Sequence, residues 1–247
     1  MSRLRRDQAG FTLIEMLVSM TLGLIVLSAV MALVQTSQRV TTTNTERSDA
    51  TQKGRIAMDQ IIQGLRSQVC LKANPASPQT TLTAGTDSSV TFFANIASPT
   101  AGTGLPTDFD PKLITFTYSN GTITQQTYDK QLVAGAYTFP TVSRTKQVLT
   151  GAVPAKDTTV SPAVDAPIFR FYGYLADGTI DPTPLPTPLA TDDLPKVAKI
   201  DIDYVSKPSD NTSNSAVQVE FEDSVTLRLL FPAPKTAVQN RTVACTI

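Results

Sequence analysis

Residues 11–34 read FTLIEMLVSMTLGLIVLSAVMALV, a run of 24 residues holding one charged side chain, Glu15. As a helix rising ~1.5 Å per residue, the run spans about 36 Å, enough to cross a hydrocarbon core of ~30 Å. Ahead of it, MSRLRRDQAG sets Arg3, Arg5 and Arg6 against Asp7. A basic N-terminal flank favours a leader that stays in the cytoplasm and export of the residues beyond the helix. Working outward, the chain divides near residue 72. All 17 prolines lie from Pro75 to Pro234, and of the 10 Phe and 6 Tyr only Phe11 precedes Phe92. Proline breaks helix interiors and aromatic residues favour strands. The expected class is therefore α+β, with a long N-terminal helix leading into a mainly antiparallel β-sheet domain.

Composition removes several functions. The 247 residues carry 21 Lys+Arg and 21 Asp+Glu, a formal net charge of zero, so bulk electrostatics indicates no nucleic-acid partner. His and Trp are absent. Without His there is no Ser-His-Asp or Cys-His catalytic pair and no His-ligated zinc. The two cysteines, Cys70 and Cys245, are too few for a Cys-only zinc or iron–sulfur site. No cofactor, metal or enzymatic activity is expected.

Three explanations compete for the apolar run. A secretory signal has an apolar core of roughly 7–15 residues followed by an A-x-A-like cut, and this run is longer and lacks that site. A plain membrane anchor fits the length but leaves Glu15 unexplained, because a carboxylate inside an apolar span is costly and marks function by default. The third explanation uses every residue type. Gly10-Phe11-Thr12-Leu13-Ile14-Glu15-Met16-Leu17-Val18-Ser19 resembles the type IV prepilin signal. That resemblance implies cutting between Gly10 and Phe11 by prepilin peptidase and methylation of the new Phe11 amine. It also implies that Glu15 neutralises a neighbouring subunit's terminal amine as subunits pack in the cytoplasmic membrane. Many major pilins carry a proline about twenty residues into the mature chain. The stretch around Ala32 has none, and Gly23 is the residue left to loosen the helix there.

Residues 40–45, rich in threonine, are poor helix material and predict a frayed or bent segment. Beyond them Met58, Ile61, Ile62, Leu65 and Val69 form one apolar stripe at helical spacing, which predicts a core face packed on a sheet. Ala73-Asn74-Pro75 should stop the helix. If straight, residues 11–70 would extend about 90 Å. The organisation read from these signals is a leader at 1–10, a membrane and assembly helix at 11–34, its amphipathic continuation at 35–72 and an exported β-rich domain at 73–247.

Strands are expected at 89–94, 113–118, 122–128, 167–175, 197–204, 217–222 and 225–231. Asn120-Gly121 signals a tight hairpin between the second and third of these, and Asp177-Gly178 a turn. Alternation over 197–204 places Asp201 and Asp203 on the solvent face. The prolines and threonines of residues 181–188 predict an extended loop. Leu65-Arg66, the Phe169-Arg170-Phe171-Tyr172 strand, the Asp177-Gly178 turn, the alternating strand after it and the closing Leu-Arg strand together resemble the larger minor pseudopilins. These are the J-type subunits of type II secretion and their W-type pilus relatives. The retained Glu15 speaks against a K-type tip subunit. Asp108 and Asp110, Asp192 and Asp193, and Glu220, Glu222 and Asp223 could offer oxygen ligands to calcium. None has EF-hand spacing, and solvated acids are the simpler reading.

The function these signals predict is a minor pilin or pseudopilin, a structural subunit of a type IV pilus or type II secretion pseudopilus. Its partners would be prepilin peptidase, other pilins or pseudopilins through the N-terminal helix, and the membrane. An adhesive or DNA-binding exported domain is the variant of that reading, and a membrane-anchored enzyme is its rival.

Cys70 and Cys245 both lie beyond the membrane run, in a compartment where disulfides persist, and only one intramolecular pairing is possible. A bond would close a loop of about 175 residues, for which chain entropy allows roughly 5 kcal/mol at most. Thiol labelling of the unreduced, denatured monomer should find no reactive thiol. Two per chain would show that the cysteines are free.

Overall fold

The computed structural model describes residues 11–69, 71, 80–95, 110–134, 136–208 and 217–227. It is α+β. One helix, α1, covers Leu13–Arg66. Then come β1 (Leu82–Thr86), β2 (Ser89–Asn95), β3 (Pro111–Ser119), β4 (Thr122–Tyr128), β5 (Gln131–Val133) and β6 (Ala136–Thr138). These are followed by β7 (Val142–Thr150), β8 (Ala152–Val153), β9 (Lys156–Asp157), β10 (Val164–Asp165), β11 (Phe169–Tyr172), β12 (Lys199–Ser206) and β13 (Val219–Thr226). The chain falls into two compact units, Met1–Glu46 and Arg47–Ile247.

In the first unit the described residues are 11–46, the first part of α1 and the two residues that precede it, and the side chains of residues 11–34 are exposed. The threonine-rich segment 40–45 does not fray; it is helical throughout. Thr41, Thr42, Thr43 and Thr45 each donate their hydroxyl to the carbonyl four residues earlier, at 2.9–3.0 Å. This back-bonding satisfies the hydroxyls within the helix without breaking it.

In the second unit Ala50, Gly54, Ala57, Met58, Ile61, Ile62 and Leu65 form the buried face of α1. The four stripe residues from Met58 to Leu65 are core, as their spacing predicts. The helix ends at Arg66, before Val69. There Ser67 takes over: its N–H donates to the Gln63 and Gly64 carbonyls and its hydroxyl to Gly64. The chain then runs along the end of β2, with Gln68 bridged to Ala94 and the Val69 N–H donating to the Phe93 carbonyl at 2.9 Å.

Two antiparallel sheets complete the core. The first has strand order β1-β2-β3-β4-β7. Leu82, Val90, Phe92, Ile114, Phe116 and Ile123 are fully buried in the same cluster as the helix stripe. The β3–β4 turn is Asn120-Gly121 with φ of 47° and 79°, the left-handed pair that a tight hairpin needs. The second sheet has order β11-β12-β13, with β8 on the far end of β12. Its Phe169, Phe171, Ile200, Ile202 and Tyr204 are fully buried.

The helix meets β12 across small side chains. The Tyr204 hydroxyl donates to the Gly54 carbonyl at 2.8 Å, and the Ser206 hydroxyl donates to Ala50 at 2.9 Å. Burial holds the Tyr204 phenol well above the usual tyrosine range, so it remains a donor. Phe221 of β13 stacks on Tyr204 with ring centroids 5.8 Å apart. A Cβ placed on Gly54 would come within 2.1 Å of that Phe221 ring.

Two expectations change here. The runs at 217–222 and 225–231 are not separate strands as far as residue 227. β13 continues through Asp223-Ser224, because its register against β12 is unbroken from Val219 opposite Ser206 to Thr226 opposite Lys199. Strand β1 and strands β5 to β10 were not expected. The edge strand β7 shows polar, exposed residues over most of its length and has no apolar alternation to reveal it. Gly54→Ala tests the helix–β12 seam. Alanine favours a helix by about 1 kcal/mol over glycine, whereas overpacking costs about 1–3 kcal/mol. The variant should have a lower urea midpoint in detergent than the wild type, and a higher one would show that Phe221 swings aside freely.

Candidate functional site at the start of the helix

The apolar run contains few polar side chains, and the helix satisfies its hydroxyls internally. Ser19 donates to the Glu15 and Met16 carbonyls at 2.9 and 3.0 Å. Thr21 donates to Val18 at 2.9 Å, and Ser28 to Ile25 at 2.8 Å. In hydrocarbon, where no water competes, such bonds are what make a hydroxyl tolerable. Glu15 differs. Its carboxylate has no hydrogen-bond or ion-pair partner among the described residues. It lies in the first turn of α1, where a negative charge also suits the positive end of the helix dipole. Phe11, four residues earlier, is 81% exposed.

Of the other residues singled out by sequence, Gly10, Cys70, Asp108 and Cys245 lie outside the described residues. The remaining acids are dispersed. Asp110 lies 3.0 Å from Lys112 and 3.2 Å from Lys130, and Lys112 also reaches Asp129 at 2.7 Å. Burial pushes the Asp110 carboxyl up, but bonds from the two lysines outweigh it and hold the group below its usual range. Asp193 pairs with Lys196 at 2.7 Å. Glu220, Glu222 and Asp223 are exposed along β13. Among the described residues no three His, Cys, Asp or Glu side chains form a group that could hold a metal ion.

Asp203 departs from the solvent-face expectation: it is only 7% exposed. Its Oδ2 is 3.5 Å from the Arg170 guanidinium on β11, and its Oδ1 is buried without a partner. Glu222 lies directly opposite it on β13. Burial raises the carboxyl above its ordinary range, Arg170 opposes the rise, and Glu220 and Glu222 add to it. Alternation in sequence gives the face a residue occupies, but it does not show what covers that face.

Residues 5–31 match the family described as "Prokaryotic N-terminal methylation motif". That interval takes in Gly10, Phe11 and Glu15. No curated protein matches the chain. Among solved structures it is similar to a chain in the crystal structure of the GspK-GspI-GspJ complex from the enterotoxigenic Escherichia coli type 2 secretion system. The similarity covers 72% of this chain and 97% of that one, at 12% identity and a TM-score of 0.38. Within α1 lies a stretch long and apolar enough to cross a membrane, and none of that stretch is buried.

Asp203 also sets a pH dependence. Its folded carboxyl binds a proton more tightly than the unfolded one, so its ionisation costs stability at neutral pH, and that loss is recovered as pH falls through the raised native value. Asp203→Asn should raise the melting temperature at neutral pH, with the advantage shrinking as pH approaches 3.8, the ordinary value. A lower melting temperature at neutral pH would show that the Arg170 pair outweighs burial.

Proposed function

We propose that this chain is a minor pilin or pseudopilin, stored in the cytoplasmic membrane and built by its N-terminal helix into a type IV pilus or a type II secretion pseudopilus. The observation that carries the proposal is the methylation motif at residues 5–31, with the one unpartnered carboxylate of the apolar run four residues after Phe11. Prepilin peptidase cuts after Gly10. The amine released at Phe11 is methylated and remains cationic. A buried ion needs a counter-ion. Glu15 supplies one to a neighbouring subunit, and that subunit's amine completes the pair. The basic leader stays inside, and residues from the end of the membrane run onward are exported. The subunit's chemistry is helix packing and charge pairing, and it carries out no turnover.

Mass spectrometry of protein from the native host should find chains beginning at N-methylated Phe11. An intact N-terminus or a cut after residue 30 would refute the reading. Glu15→Ala should leave that processing unchanged and abolish incorporation into filaments. Normal incorporation would show that Glu15 is not the counter-ion, and lost cleavage would place it in peptidase recognition instead.

A further inference from the structure

The first turn of α1 carries a second pattern. In Phe11-Thr12-Leu13-Ile14-Glu15-Met16 a threonine is followed three residues later by glutamate, with apolar residues one before and four after the threonine. This is the signature of a capping box with a hydrophobic staple. The helix starts at Leu13, which makes Thr12 its N-cap. The Glu15 N–H donates to Thr12 Oγ1 at 3.4 Å and to the Thr12 carbonyl at 3.1 Å, and the Met16 N–H donates to that carbonyl at 3.2 Å. Thr12 thus closes its half of the box. The glutamate half stays open, because the Glu15 carboxylate has no partner among the described residues.

We propose that Thr12 is the positioning residue for Glu15: its hydroxyl fixes the start of α1 and holds the Glu15 carboxylate in a set direction, open to a neighbour's amine. The proposal rests on Phe11 being the first residue of the mature chain, since the cut then leaves one residue ahead of the cap. The first N–H groups of any helix lack intrahelical acceptors, and in hydrocarbon no water replaces them. An uncapped first turn would fray. Fraying there moves Glu15, because Glu15 is the third residue of the helix. A carboxylate that must meet an amine on another chain depends on the register of its own turn. The threonine at position 12 therefore acts through Glu15 and makes no contact with the partner itself.

The test uses the full chain in detergent micelles and compares Thr12→Val, which keeps the shape and removes the oxygen, with Thr12→Ser, which keeps the oxygen. Amide hydrogen exchange at Glu15 should quicken about fivefold in Thr12→Val, the scale of one lost side-chain cap, and stay near wild type in Thr12→Ser. Incorporation into filaments should fall in Thr12→Val and return in Thr12→Ser, with the mass of the mature chain unchanged. Equal exchange in Thr12→Val and wild type would overturn the cap. Faster exchange with normal incorporation would overturn the positioning role. Absence of a chain starting at Phe11 in the wild type would instead refute the processing reading, and the exchange comparison would still decide the cap.

Discussion

The helix and the second sheet are held together by two hydroxyls that reach carbonyls already engaged in the helix. Tyr204 and Ser206 touch Gly54 and Ala50, and they can do so only because those positions carry almost no side chain. A helix carbonyl has a second lone pair, so accepting another donor need not break the helical ladder. The geometry fixes both translation and rotation of the helix along β12. With that fixed, the stripe from Met58 to Leu65 faces the first sheet, and Phe92 and Phe116 close the core over it. Replacing the small residues would push the two backbones apart and leave a buried tyrosine oxygen without its partner, a loss of about 1–3 kcal/mol.

The start of the same helix follows the opposite rule. The hydroxyls of Ser19, Thr21 and Ser28 bond the helix's own carbonyls and that of Thr12 caps its first turn, whereas the Glu15 carboxylate has no partner among the described residues. No cation among the described residues pairs with it.

Much of this was legible in the sequence because the signals were local. The membrane run, the Asn120-Gly121 hairpin, the helical stripe and strand β4 each follow from a few neighbouring residues. The features that escaped depend on distant ones. β7 is an edge strand whose polar residues answer to solvent, and only pairing with β4 shows it to be a strand. The seam at Ala50 and Gly54 has no apolar weight in sequence; its importance comes from Tyr204 and Ser206, which lie 150 and 156 residues away along the chain. Asp203 alternates like a surface residue, yet it is buried, with Arg170 and Glu222 beside it on the neighbouring strands. The threonines at 41–45 mislead because propensity is a weak guide inside a long helix, and the segment is helical throughout. At the N-terminus Glu15 was legible as the functional charge, whereas Thr12 stood in plain sight and shows its role only once the helix start is known.

The perturbed acids among the described residues are spread through the domain. Catalytic sites gather perturbed groups into one cleft. Here each perturbed acid among the described residues has its own local cause. Asp157 is held below its usual range by the Thr159 hydroxyl and N–H, and Asp177 by those of Thr179. Both are turn bonds between residues two apart, of the kind that fold a loop. Asp110 answers to its lysines and Asp203 to burial within the sheet. The lowered groups stabilise turns and strand pairs when ionised, whereas Asp203 costs stability, and they lie at separate places in the sequence. Glu15, in the first turn of the helix, has no partner among the described residues.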